Sequence, residues 1–429
     1  MKNFFELVRN NSFLQIFSSK LIVQITTILQ SIIISRLLGP EGKGEFTEII
    51  LWPSIIGSLS MLGLYTGIVR ISAKSNIYRK YDVPKSVIWC TAITGIIGSI
   101  IAIAVNGIYF REREVLTIAE FYGIYVLIYN MNRGLSAINN GRGNMGIYSI
   151  SSSILNPVYF ICLLILLLFD LITLETCLIS LLVANLCSCI FLFYKRDKKE
   201  GGLVISPLKM IKYSVKYSLA DFSEPLYLYY DKVIVAFLLS SYELGLYTIA
   251  YSAAGVINII SSTFSVKLFS DVARGHIGNL FQYIRINIIT MLVSALILCI
   301  CLPILIPIVF GTEFILAIFP SLLLLPVCIL QGQSLIIEKS ILAKGYPYIG
   351  IKAKALAMAV LSILAVVLHL FQIENLISIS ILLILVQYVY LIYLKRKIKF
   401  IFKEDRIFPN REDFKLYVKR ISSLFNRIS

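Results

Sequence analysis

The stretch FLQIFSSKLIVQITTILQSIIISRLL, residues 13–38, decides the architecture. It is longer than the about 20 helical residues needed to cross a ~30 Å hydrocarbon core. Its interior polar residues Lys20, Gln24, Thr27, Gln30 and Ser31 share one stripe about 120° wide at ~100° per residue, with Gln30 at its margin. The rest of the surface is apolar, as a lipid-facing surface is. Further spans of the same kind follow near 46–70, 86–110, 115–136, 146–169, 171–194, 212–239, 245–268, 286–310, 314–337, 349–371 and 375–394. The chain is 58% hydrophobic and 15% charged, against ~25% charged in a soluble domain. The expected fold is an all-α polytopic membrane protein of about twelve transmembrane helices.

The basic residues orient it. Of 40 Lys and Arg, 34 fall on the segments that are cytoplasmic if the N-terminus is inside. Only Arg36, Lys43, Arg111 and Arg113 fall on outer turns, and Lys20 and Lys232 lie within spans. The positive-inside bias therefore predicts cytoplasmic termini. It also accounts for the net charge of +16 without nucleic acid, for which no basic soluble module is present. The eight cysteines lie in apolar runs without zinc or thioredoxin spacing, and His276 and His369 converge with none of them. Neither a metal site nor a catalytic residue is expected. No phosphate-binding G-x-x-x-x-G-K-[ST] loop occurs, so any driving force would be an ion or substrate gradient.

The sequence also repeats itself. Leu37, Leu38, Gly44, Phe46 and Thr47 fall on Leu238, Leu239, Gly245, Tyr247 and Thr248 at an offset of 201. Gly141, Gly146 and Ile147 fall on Gly345, Gly350 and Ile351 at 204. Six spans plus six spans gives two parallel units, 1–200 and 201–396, with a basic amphipathic tail over 397–429. Such units are expected to meet across a central cleft at a pseudo-axis along the membrane normal. In the tail, Phe414, Val418, Ile421, Phe425 and Ile428 form an apolar stripe suited to an anionic lipid surface.

Charge inside a span is costly and usually marks a pathway. The seventh span carries Asp221, Glu224, Asp231 and Lys232 within about 100°, with Tyr227 just outside. At the 201 offset Lys20 falls on Asp221 and Gln30 on Asp231, so the two stripes occupy the same face of equivalent helices. Asp221, Glu224 and Asp231 are candidates for binding a coupling proton or sodium ion. Lys20, Gln24, Gln30, Tyr227 and Lys232 are candidates for binding substrate. The alternative is internal pairing, with Lys20 snorkelling to the inner face. The fourth span places Tyr122, Tyr125, Tyr129, Asn132 and Arg133 on one face. Tyr125 and Tyr129 suit sugar contacts, and Arg133 suits a pyrophosphate by its fork geometry. An interfacial tyrosine belt with an orienting arginine is the alternative.

The turn SRLLGPEGKGEF, residues 35–46, resembles the first outer turn of bacterial polysaccharide repeat-unit flippases of the Wzx type. These belong to the multidrug/oligosaccharidyl-lipid/polysaccharide exporter superfamily. LGLYTIAY (244–251) and FGTEF (310–314) are similar to that family too. The resemblance implies a V-shaped pair of six-helix bundles. Such a protein flips undecaprenyl-pyrophosphate-linked oligosaccharide from the inner to the outer leaflet of the bacterial plasma membrane, for O-antigen, capsule or another surface polysaccharide. It implies no enzymatic step, and a first-span basic residue on the pyrophosphate, for which Lys20 is the candidate. The seventh-span acids depart from a purely cationic lining. The partners expected are the lipid-linked oligosaccharide and membrane lipid, with a polysaccharide polymerase and a chain-length regulator as candidate protein partners. A cation-coupled multidrug antiporter of the same superfamily is the nearest alternative. A membrane-embedded polymerase would need a large outer loop that this chain lacks, and a non-transporting scaffold has no use for charged stripes.

Overall fold

The computed structural model describes residues 12–73, 81–109, 115–195, 203–273, 280–404, 407 and 409; side chains are described from Ile22 on, save a few. The expected tail helix and the Arg111 and Arg113 turn lie outside the described residues. So does the side chain of Lys20. The elements are helices α1 (Ser12–Ser60), α2 (Leu64–Ala73), α3 (Val83–Tyr109), α4 (Val115–Gly141), α5 (Met145–Leu168), α6 (Leu174–Tyr194) and α7 (Pro207–Ser214). Then come α8 (Ser218–Leu238), α9 (Ser241–Ala254), α10 (Asn258–Ala273), α11 (Leu280–Phe310), α12 (Ile318–Ala343), α13 (Pro347–Leu370) and α14 (Leu376–Phe402). Among the described residues there is one isolated β-bridge, Tyr81 to Leu203.

Among the described residues nine stretches are long and apolar enough to cross a membrane. The first, Ile22–Ser60, is two helices, because Gly39 breaks α1 with φ 67° and ψ −175°. That backbone region is open essentially to glycine alone, and the following Pro40 disfavours helix at residue 39 while starting the second arm well. α4 and α8 are not among the nine, because their polar stripes dilute the apolar window. Counted with the divided α1, they bring the passes to the expected twelve. The exposed aliphatic residues fit lipid contact: Ile96, Ile100 and Ile103 on α3, and Leu296, Ile300, Ile304 and Ile308 on α11.

The duplication is visible in backbone conformation. Gly143 and Gly345 both have positive φ, as do Asp170 and Gln372, each pair spaced by 202 residues (143 to 345, 170 to 372). At the same spacing Thr173 caps α6 and Asn375 caps α14 through side-chain oxygens. The expected pairing of Gly141 with Gly345 is thus off by two, and Gly143 is the counterpart. Gly141 instead lets α4 approach α2, since a Cβ there would lie 2.3 Å from the Val69 carbonyl oxygen.

Two compact units are formed, Met1–Tyr229 and Tyr230–Ser429. The second is held by buried polar contacts. The Ser261 hydroxyl of α10 donates to Asn287 Oδ1 of α11 (3.1 Å), and Asn287 Nδ2 donates to Gln333 Oε1 of α12 (3.2 Å). An ion pair joins the last three helices. Lys354 Nζ of α13 lies 2.8 Å from Glu338 Oε1 of α12, with both side chains nearly buried. The Tyr390 hydroxyl of α14 donates to Glu338 Oε2 at 2.7 Å. Gly350 clears the space, since a Cβ there would stand 2.6 Å from Glu338 Oε1. Lys354 is therefore a buried structural cation. Breaking such a pair leaves an uncompensated charge at a cost of about 3–5 kcal/mol, whereas replacing both partners by apolar groups is near neutral. Lys354→Ala is expected to lower the unfolding temperature in detergent strongly, and Glu338→Leu with Lys354→Met to recover most of the loss. Thermal unfolding followed by fluorescence checks both.

Candidate functional site

In the first unit the fourth-span stripe forms a ladder on the second arm of α1. The Tyr125 hydroxyl is 3.2 Å from Ser54 Oγ, and that of Tyr129 is 2.9 Å from Ser58 Oγ. The two rings stack with centroids 6.0 Å apart. Spacing by four residues on α4 puts them one turn apart on the same face, and the serines sit at the same spacing opposite. Gly57 makes room, because a Cβ there would stand 2.9 Å from the Tyr129 ring. Tyr125 is buried in the core of this unit, so its ring is a packing surface; Tyr129 is partly open.

Arg133 continues the ladder by one more turn. Its Nη1 donates to the Tyr129 hydroxyl at 3.3 Å. Its guanidinium carbon lies 5.0 Å from the Tyr65 ring centroid and 5.6 Å from that of Tyr129, a placement that steadies a cation without neutralising it. Tyr65 is itself held by Asn140 Nδ2, which donates to its hydroxyl at 3.0 Å. Among the described residues no carboxylate forms an ion pair with Arg133 and it donates one side-chain hydrogen bond, where guanidinium offers five N–H donors.

Asp221 reaches the same neighbourhood from α8, within electrostatic reach of Arg133. Its Oδ1 accepts from the Thr66 hydroxyl (2.6 Å) and its Oδ2 from the Thr66 backbone N–H (3.1 Å). That N–H belongs to the open first turn of α2, so Asp221 caps a helix other than its own. Gly63, with φ 77°, brings that helix start close, since a Cβ there would meet the Ser214 carbonyl oxygen at 2.5 Å. Gln30 is also engaged, donating from Nε2 to the Asn156 carbonyl of α5. Gln24 and Tyr227 are half-buried, and Glu224 is exposed.

The second unit carries the other acid. Asp231 Oδ2 accepts from the Tyr247 hydroxyl at 2.6 Å, whereas the buried Oδ1 accepts no hydrogen bond. Lys232 Nζ is 3.7 Å from Asp231 Oδ1 and 4.7 Å from the Tyr251 ring centroid. The Tyr251 hydroxyl donates to Gln331 Oε1 (3.0 Å), which also accepts from Asn258 Nδ2 (3.2 Å). Asn258 Oδ1 is buried and accepts nothing. Asp231 and Lys232 are therefore brought together with Tyr247, Tyr251, Gln331 and Asn258, none of which sequence reading named as a site residue. Tyr247 and Tyr251 carried a signal, as part of the repeated second span and of the stretch 244–251.

Comparison with known proteins gives the family and the fold. The family model described as "Polysaccharide biosynthesis protein" matches residues 9–269. No curated protein sequence matches the chain. Among solved structures, the lipid II flippase MurJ in an inward closed conformation is similar with TM-score 0.75 at 12% identity, covering 95% of this chain and 91% of that one. An inward-facing multidrug resistance MATE family transporter of the MOP superfamily is similar with TM-score 0.67 at 14% identity, over 89% and 96%. A MOP superfamily transporter from Pyrococcus furiosus is similar with TM-score 0.61 at 14% identity, over 96% and 95%. With a family match over more than half its length, the chain belongs to the polysaccharide biosynthesis protein family, and its fold is the one seen in MOP-superfamily transporters.

Proposed function

We propose that this protein flips undecaprenyl-pyrophosphate-linked oligosaccharide units from the inner to the outer leaflet of the bacterial inner membrane by alternating access, with both termini cytoplasmic. The product serves O-antigen, capsule or another surface polysaccharide. The observation that carries this reading is Arg133. A guanidinium held between two tyrosine rings, with most of its donors uncommitted, suits a pyrophosphate that must be gripped and released. Lys20 is assigned a second contact to the same group, on the strength of the family resemblance. Tyr129 offers a ring face and hydroxyl to a sugar. Family membership supports a lipid-linked cargo, and the likeness to a lipid II flippase fits it.

The acid of the second unit is assigned to energy coupling. Asp231 Oδ1 is buried without a hydrogen bond, and a carboxylate oxygen so placed in a low-dielectric site suits a proton or a sodium ion. The same feature favours the second reading, a cation-coupled multidrug antiporter, which the MATE-like fold also accommodates. The two readings differ in cargo: a flippase mutant accumulates lipid-linked oligosaccharide inside, an antiporter mutant loses drug resistance.

Arg133→Ala is expected to cut surface-polysaccharide export at least tenfold and to raise cytoplasmic-leaflet lipid-linked oligosaccharide, at unchanged protein level. Arg133→Lys, which keeps charge but loses the fork, should fall between Ala and wild type. Full export by Arg133→Ala, measured by surface labelling against membrane abundance, removes the residue from the site. Asp231→Asn is expected to slow flipping at least tenfold in reconstituted vesicles and to make the residual rate indifferent to imposed proton or sodium gradients. A wild-type rate that ignores both gradients would sink the coupling role while leaving the flippase reading intact.

A further inference from the structure

The segment joining the two repeats carries a surface feature that the transport reading leaves unused. Ser206 and Pro207 start α7 in the usual way, with proline at the first helical position. One face of the segment is fastened to the first unit. The Asp82 backbone N–H donates to the Leu203 carbonyl at 3.0 Å, and that of Ile205 donates to Ser86 Oγ at 2.8 Å. Met210 and Ser214 are buried, and Ser214 fills the space that a Cβ on Gly67 would need. Arg70 Nη1 donates to the Tyr217 hydroxyl at 3.3 Å and sits over its ring.

The opposite face has two strips. Leu208, Val215 and Leu219 are 79%, 47% and 65% exposed; Leu208 and Val215 share one face at ~100° per residue, and Leu219 stands on the first turn of α8, just past the 3₁₀ turn Val215–Tyr217. Lys209, Lys212 and Lys216 are exposed as well and fall in the adjoining arc of about 60°. No acid occurs between Leu203 and Ala220, and among the described residues none of the three lysines forms an ion pair. A helix bathed in water gains nothing from presenting three large aliphatic residues side by side. A helix lying in a headgroup layer needs this apolar strip beside a basic one. The segment lies at the end of the unit that carries Arg70 and Lys85, the end that the charge bias assigns to the cytoplasmic leaflet.

We propose that the inter-repeat helix α7, the turn after it and the first turn of α8 form a binding surface for anionic phospholipid headgroups. Lys209, Lys212 and Lys216 contact the phosphates, and Leu208, Val215 and Leu219 enter the acyl boundary. Because the opposite face is hydrogen-bonded to the first unit, the lipid contact anchors that unit at one depth.

The test uses the full-length protein in neutral detergent, titrated with phosphatidylglycerol or phosphatidylcholine, with bound lipid counted by native mass spectrometry. Since the basic tail also attracts anionic lipid, the comparison is between wild type and Lys209→Gln/Lys212→Gln/Lys216→Gln with the tail intact. A loss of roughly fivefold in phosphatidylglycerol affinity per lysine is expected, with no change for phosphatidylcholine. The arginine triple variant should retain binding. Leu208→Gln/Leu219→Gln should weaken phosphatidylglycerol but not glycerol phosphate, which separates a lipid site from a plain phosphate site. If the triple glutamine variant fails to fold, each single glutamine variant is read instead. Equal phosphatidylglycerol affinity in wild type and the glutamine variants overturns the proposal, as does equal loss of glycerol phosphate and lipid in the leucine variant.

Discussion

Hydrocarbon offers a peptide group no hydrogen bond, so a chain that crosses it must satisfy each backbone donor and acceptor within itself. For this protein that constraint selects helices, and it then governs the polar side chains left in them. Most are spent locally. Thr27, Ser35, Thr91 and Ser380 return their hydroxyls to the carbonyl four residues back, which adds no exposed donor to the helix surface. Others reach a neighbouring helix, as Gln30, Asn287 and Tyr390 do. The charges that remain are costly enough that each needs its own physical account.

The two repeats show how the same backbone solution survives a change in chemistry. The turn after the first span is made by a glycine in a region other residues avoid, followed by proline. Its counterpart after the seventh span is a capping box. Ser240 accepts from the Glu243 backbone N–H, and Glu243 accepts from that of Ser240. One device exploits backbone freedom, the other satisfies orphan donors reciprocally. Between α5 and α6 and between α13 and α14 the left-handed residue is Asp170 in one copy and Gln372 in the other. Position is kept while residue type drifts, so a search by identity alone finds only fragments of the duplication.

That drift explains what was legible in the sequence. Span number and the α4 stripe were readable because they depend on length and on a spacing of four, which packing preserves; Tyr125, Tyr129 and Arg133 do stand on one face. The partner residues were not. Ser54 and Ser58 look like ordinary small residues of a span, and their role follows only from the register between α1 and α4. The pairing of Lys354 was not legible, because it stands seven residues into α13, near an inner loop, where lysines normally mark orientation. Nothing local tells a reader that Glu338 and Tyr390 converge on it, for three helices must meet first. Asp221 illustrates the opposite limit. Its place in a polar stripe was visible, but its hydrogen bonds to the start of α2 depend on the close approach at Gly63.

The distribution of spent and unspent charge bears on which unit handles an anion. In the second unit Lys354 is fully committed to Glu338, and Lys232 stands beside the buried Asp231. A phosphate taking Lys354 would strand a carboxylate in the core, a loss of several kcal/mol that few added contacts repay, and one taking Lys232 would draw it away from Asp231. In the first unit both oxygens of Asp221 are occupied by Thr66, and Arg133 is steadied by ring faces that leave its charge in place. An incoming phosphate there adds hydrogen bonds and breaks no buried ion pair. On the reading proposed above, an anion is therefore met at lower cost by Arg133 than by Lys232, whose charge already faces Asp231 Oδ1 at 3.7 Å.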